Sequence, residues 1–216
     1  MLKGFVTFEG IDGSGKSTVS RLVAESLEKR GERVFLTGEP THSWLGDAIR
    51  RAYHDDVGPL AESFLFLADR AAHLEEIRAH LVRGELVLCD RYADSTYAYQ
   101  AARLEGVVDK PMAFLQGISE PWVVPPDLTI LLRISAEAGL ARIADRPAKV
   151  RFEDLSLLTK VAANYDLLAR SKRYAVVDAT RTKEDIVDEV IRTIETRLAG
   201  PRPGAVRSRR TRSADG

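Results

Sequence analysis

The sequence predicts an α/β protein: a five-stranded parallel sheet with helices on both faces. Three observations point there. Short, apolar, β-prone runs recur along the chain, each separated from the next by stretches with helical spacing. The first run leads straight into Gly10-Ile11-Asp12-Gly13-Ser14-Gly15-Lys16-Ser17, which fits G-x-x-x-x-G-K-[ST] at every fixed position. The length of 216 residues, with 44% hydrophobic content, suits one domain of this class with a proper core.

Taken in order, Phe5–Phe8 reads as the first strand and Thr18–Lys29 as a helix. Arg33–Thr37, entered through Gly31, is the second strand, followed by the loop Gly38-Glu39-Pro40-Thr41-His42 and a short helix over Trp44–Tyr53. From Pro59 to Arg83, apolar residues at 60, 64, 67, 71, 74, 77, 81 and 82 give a long amphipathic helix that Gly84 stops. Glu85–Cys89 is a buried strand ending on Asp90, and Tyr92–Leu104 and Lys110–Ile118 are helical. Pro125-Pro126-Asp127 introduces a strand at Leu128–Leu132, then a helix at Ala136–Ala144. A charged loop, Asp145–Phe152, precedes a helix over Glu153–Arg170. Tyr174–Asp178 is the last strand, and Lys183–Leu198 closes the fold.

Net charge is zero, but it is unevenly spread. From Gly200 to Gly216 five arginines face one aspartate, about +4, so the first 199 residues are mildly acidic. An acidic body is not the footprint of a nucleic-acid binder. The chain therefore divides into a domain over 1–199 and a basic tail over 200–216 that reads as a disordered, solvated extension. Weak attraction of the tail to nucleic acid or to an acidic partner is the alternative. Cys89 is the only cysteine, sits in an apolar run and cannot form an internal disulfide. No apolar run approaches 18 residues and no early stretch resembles a signal peptide. The expectation is a soluble cytoplasmic protein with no membrane contact.

The chemistry begins at the glycine-rich turn. Gly10, Gly13 and Gly15 let the backbone amides of Ile11, Asp12, Ser14 and their neighbours close around phosphate oxygens. The turn opens a helix, whose N-terminal dipole also favours an anion. Lys16 would reach the terminal phosphates of ATP, Ser17 would ligate Mg²⁺, and Thr18 follows in the first helical turn. In open α/β sheets ligands bind at the carboxyl ends of strands, and Gly10, Glu39 and Asp90 all lie there. Asp90 takes the position of a carboxylate close to Mg²⁺. Arg91 then enters the same cleft, able to hold a second anionic group bidentately; a surface salt bridge is its plainer use. Phe66 and Arg70 are four residues apart on one helix face, which suits a flat base carrying a carbonyl. On its own such a pair also fits core packing beside a solvated charge.

Phe8-Glu9-Gly10-Ile11-Asp12-Gly13-Ser14-Gly15-Lys16-Ser17-Thr18, the pair Phe66 and Arg70, the block Asp90-Arg91-Tyr92-Ala93-Asp94-Ser95-Thr96-Tyr97-Ala98-Tyr99-Gln100, and Pro126-Asp127-Leu128-Thr129 together resemble the thymidylate kinase family. The likeness runs from residue 5 to about 198 in the family's order. It implies phosphorylation of dTMP to dTDP with ATP and Mg²⁺, in dTTP synthesis, by a homodimer. It also implies roles: Asp12 for the sugar 3′-hydroxyl and for orienting Arg91, Arg91 for the acceptor phosphate, and Phe66 for stacking on thymine. Arg70 would bond the base O4, Thr96 would face its N3 side, and Tyr99 would pack on deoxyribose; Glu39 and Gln100 join this substrate set. One form of the family carries its transition-state arginine in the phosphate loop, at the position of Gly13. The other carries it in a lid, which about 142–152 would form here, offering Arg142, Arg146 and Arg151. The family commonly has Arg-Glu-Pro after the second strand, where this chain has Gly38-Glu39-Pro40. A kinase for another nucleoside monophosphate or for a deoxynucleoside is the nearest alternative. A GTPase switch would need an N-K-x-D motif, which the chain lacks.

Overall fold

The computed structural model describes residues 1–144 and 154–199. Arg146, Arg151 and the rest of the expected lid loop after Ala144, together with the basic tail, lie outside the described residues. The elements run β1 (Gly4–Glu9), α1 (Lys16–Lys29), β2 (Val34–Gly38), α2 (Trp44–Ala52), α3 (Pro59–Val82), β3 (Leu86–Asp90), α4 (Ala93–Arg103), α5 (Pro111–Ser119), β4 (Leu128–Arg133), α6 (Ala136–Ile143), α7 (Leu155–Leu168), β5 (Tyr174–Asp178) and α8 (Lys183–Leu198). The five strands form one sheet in the order β2-β3-β1-β4-β5, and every pairing is parallel.

Strand alternation divides the core in two. Val6 and Phe8 of β1 and Leu86 and Leu88 of β3 face α1 and α8, where Val19, Val23 and Leu27 recur every fourth residue along α1. Phe5, Val87 and Cys89 face the opposite way, onto Leu74 and Ile77 of α3 and Tyr97, Ala101 and Leu115 of α4 and α5. Burying each such side chain contributes about 1.5–3 kcal/mol, so one misplaced turn of α1 or α3 would be costly. The fully buried Cys89 packs as a small apolar residue and is unpaired. Among the described residues, no helix is long and apolar enough to cross a membrane.

Two boundaries differ from the sequence expectation in ways that matter to the site. The first helix begins at Lys16 rather than Thr18, because Gly15 sits in the left-handed region as its N-cap (φ 91°) and hands the chain directly into the helix. The strand β3 continues through Asp90, which pairs with Phe8 on one side and Gly38 on the other. The carboxyl ends of β1, β2 and β3 thus finish level, with the phosphate loop, Glu39 and Arg91 following from one edge of the sheet.

Candidate active site

The phosphate loop is closed on itself. The Ser14 amide donates to the Ile11 carbonyl (3.2 Å), and Lys16 Nζ donates to the same carbonyl (2.8 Å) and to Ser14 Oγ (3.3 Å). Gly10, Ile11, Ser14 and Lys16 are buried, whereas Gly15, Ser17 and Thr18 are exposed at the helix opening. Burial, with Arg91 acting in the same direction, lowers the Lys16 ammonium to about 7. A buried ammonium of this kind is suited to meet an anion.

Gly13 has φ 81°, and a Cβ there would meet the Gly139 carbonyl oxygen at 2.1 Å; a Cβ on Gly139 would meet the Asp12 carbonyl at 2.6 Å. The helix α6 therefore rests directly on the phosphate loop, backbone to backbone. Arg142, on the next turn of α6, donates from Nη1 to the Gly13 carbonyl (3.4 Å) and from Nη2 to the Ala179 carbonyl (2.9 Å). A side chain at position 13 does not fit against α6 as it stands.

On the acceptor side, Arg91 is one of two non-glycine residues with positive φ (66°) among those described. Its guanidinium pairs with the Asp12 carboxylate and lies 5.2 Å from the centre of the Tyr99 ring. The Tyr99 hydroxyl accepts from the Asp12 amide (2.8 Å), so Asp12, Arg91 and Tyr99 form one unit. Burial works against the Arg91 charge, but Asp12 and the surrounding hydroxyls and carboxylate outweigh it and the guanidinium stays charged.

Arg70 is 1% exposed. Its Nη2 donates to Glu39 Oε2 (2.7 Å), the Tyr92 carbonyl (3.1 Å) and Thr96 Oγ1 (2.8 Å). Its Nε and Nη1 are buried and have no protein partner. Behind it, Glu39 Oε1 takes a bond from His73 Nδ1 (3.1 Å), and His73 Nε2 meets Thr37 Oγ1 (2.7 Å). Burial opposes the Arg70 charge and the Glu39 carboxylate overcomes it. Phe66 is half-buried one turn earlier on α3.

The structure thus brings together Asp12, Arg91 and Tyr99, and separately Arg70, Thr96 and Glu39, in adjoining parts of the same end of the sheet. Gln100 stands apart from both groups. It is 1% exposed, its amide nitrogen donates to Glu62 Oε1 (3.1 Å), and its oxygen accepts from Ser63 Oγ (3.3 Å), so it braces α4 against α3. Asp90 Oδ1 is buried without a protein partner. Among the described residues no group of three or more His, Cys, Asp or Glu side chains could hold a metal alone. A lone carboxylate oxygen near an exposed serine fits a hard cation that takes most of its ligands from phosphate and water.

Several site residues carried no sequence signal of their own. His73 and Thr37 matter because Glu39 needs support. Asp69 accepts from the Thr41 amide (2.8 Å) and from Ser43 Oγ (3.1 Å), fixing the loop after β2. Gly139 matters only through its contact with Gly13. Glu9 and Ser95 lie inside the motif blocks, yet their roles depend on three-dimensional neighbours.

The thymidylate kinase family model matches residues 8–190. The chain is 43% identical over 198 residues to a probable thymidylate kinase of Natronomonas pharaonis, an alignment covering 90% of this chain and 98% of the relative. It is 41% identical over 197 residues to a probable thymidylate kinase of Methanococcoides burtonii, covering 89% and 97%. A probable thymidylate kinase of Halobacterium salinarum is 41% identical over 186 residues, covering 84% and 90%.

Proposed function

The chain belongs to the thymidylate kinase family, and on that premise we propose that it transfers the γ-phosphoryl group of ATP to dTMP, giving dTDP and ADP. The observation that carries the choice of acceptor is Arg70. A buried guanidinium whose Nε and Nη1 lack protein partners presents donors only, which a thymine O4 satisfies and a cytosine amino group does not. Phe66 stacks on the base, Thr96 faces its N3 side, Arg91 grips the acceptor phosphate, and Tyr99 packs on the sugar whose 3′-hydroxyl Asp12 holds.

On the donor side the amides of Gly10 to Thr18 cradle ATP, and Lys16 exchanges its contacts with Ile11 and Ser14 for phosphate oxygens. Ser17 and the free Oδ1 of Asp90 would hold Mg²⁺, which supplies charge neutralisation on the β- and γ-phosphates. Phosphoryl transfer asks chiefly for in-line positioning and cations spread over the moving charge. Arg142 already touches the loop through Gly13, and Arg146 and Arg151, outside the described residues, complete the proposed lid set. What supports a lid arginine is the contact that leaves no room for a side chain at Gly13. A homodimer fits the exposed apolar side chains Trp44, Leu60 and Phe64 on α2 and α3, and a cytoplasmic location fits the buried, unpaired Cys89.

Incubation with ATP and Mg²⁺, with and without dTMP, tests this reading. ADP should form in proportion to dTMP. Slow hydrolysis indifferent to dTMP would indicate a nucleotide switch, and turnover of another monophosphate or a deoxynucleoside in its place would move the assignment to a different kinase.

A further inference from the structure

Glu9, the last residue of β1, is fully buried. A carboxylate without solvent has to be compensated by donors, and three are present. The Tyr92 amide donates to Oε1 (2.8 Å), while the Ser95 hydroxyl (2.6 Å) and the Tyr165 hydroxyl (2.8 Å) both donate to Oε2. Each of these donors bears on Arg91.

The peptide after Arg91 ends in the Tyr92 amide that Glu9 holds, and the peptide before it carries the Arg91 amide, which donates to the Phe8 carbonyl (3.0 Å). Two successive residues of β1 thus pin both peptides flanking a left-handed arginine. That conformation costs on the order of 1 kcal/mol or more in a non-glycine residue and persists only where neighbours fix it. The side chain is controlled as well. Because Ser95 gives its hydroxyl proton to Glu9, a lone pair is turned toward Arg91, whose Nη1 donates to Ser95 Oγ (3.2 Å). Tyr165 lies on α7, the helix that follows the expected lid, so the same carboxylate links that helix to the acceptor arginine.

We propose that Glu9 is a positioning residue for the acceptor site, holding the Arg91 backbone through the Tyr92 amide and the Arg91 guanidinium through Ser95. Asp12 holds Nη2 and the Tyr99 ring lies against the guanidinium, which leaves Nη1 for Ser95 to fix. With Ser95 added, the fork is held at both terminal nitrogens, Nη1 by Ser95 and Nη2 by Asp12. This inference rests on the reading of Arg91 as the phosphate ligand.

The test is steady-state kinetics on Glu9→Gln, Ser95→Ala and the double variant, with Arg91→Ala as reference. Glu9→Gln should raise KM for dTMP about 10-fold while changing KM for ATP and kcat less than about 3-fold. Ser95→Ala should do the same, and the double variant should be no worse than the poorer single, because both act through one contact. Unchanged KM for dTMP in Glu9→Gln, or a double variant whose effects multiply, would overturn the proposal. If Glu9→Gln does not fold, Glu9→Asp, which keeps the charge but falls short by one methylene, carries the same comparison. Should Arg91→Ala leave KM for dTMP unchanged, it is the assignment of Arg91, and with it this proposal's premise, that fails.

Discussion

At Arg70 the protein uses one terminal nitrogen for three bonds and leaves Nε and Nη1 buried without partners. Such an arrangement favours a ligand that brings acceptors and penalises one that brings a donor. Arg70→Ala should therefore cost about 1.5–3 kcal/mol in kcat/KM for dTMP, the usual worth of a hydrogen bond to a charged group. An unchanged kcat/KM would place the base elsewhere. Lys16 makes a separate prediction. Its folded value, about 7, lies below the ordinary 10.5, so the folded protein holds this proton less tightly than the unfolded chain. Stability from this group is gained as pH climbs from about 7 toward 10.5, and the charged lysine costs stability below 7. Lys16→Met should abolish turnover yet raise the unfolding free energy of the apo protein at pH 6, by on the order of 2 kcal/mol, with the gain shrinking by pH 10. A variant less stable than wild type at pH 6 and relatively better at pH 10 would reverse the sign and refute the reading.

Among elements, α6 and the phosphate loop form the closest approach, with backbone meeting backbone at Gly13 and Gly139. Gly139→Ala would push a methyl group into the Asp12 carbonyl, at a cost of about 1–3 kcal/mol, and should raise KM for ATP by distorting the loop. Thermal melting and ATP kinetics would check both; wild-type values would mean α6 can shift freely. The proposed lid arginines make a separate test. Replacing one of Arg142, Arg146 or Arg151 should reduce kcat about 10³-fold, with much smaller changes in either KM. If all three single variants keep wild-type kcat, the transition-state charge is met from another source. Gly38 also has a structural reason. A Cβ there would meet the Asp90 carbonyl oxygen at 2.9 Å, so a side chain does not fit between these strand ends as they stand.

For the molecule as a whole, what could be read in the sequence was whatever repeats with a short period or sits in a fixed motif. The thirteen elements of the described residues, the parallel sheet and the phosphate loop all follow from apolar spacing and glycine placement. Asp12, Arg91 and Tyr99 were recognisable as candidates from their motif blocks, and the structure joins them through side chains far apart in the chain. Support contacts were not legible. Nothing in the pattern of α3 marks His73 as the residue behind Glu39, and nothing in β1 distinguishes Glu9 from a strand-end carboxylate facing water. Such roles arise from burial, which needs the folded neighbours. Gln100 is singled out by its motif position, and the structure adds what the motif did not show, an amide that braces α4 against α3.

The claim on which the rest depends is that a donor-only guanidinium selects the acceptor base. Its most direct measurement is the ratio of kcat/KM for dTMP to that for dCMP in the wild-type enzyme and in Arg70→Ala, with dUMP as the methyl control. A strong preference for dTMP over dCMP is expected in the wild type, with dUMP separated from dTMP by only about 1–3 kcal/mol. The preference over dCMP should shrink in Arg70→Ala. A wild-type enzyme that phosphorylates dCMP as efficiently as dTMP, or an Arg70→Ala variant that keeps the full preference, would contradict it.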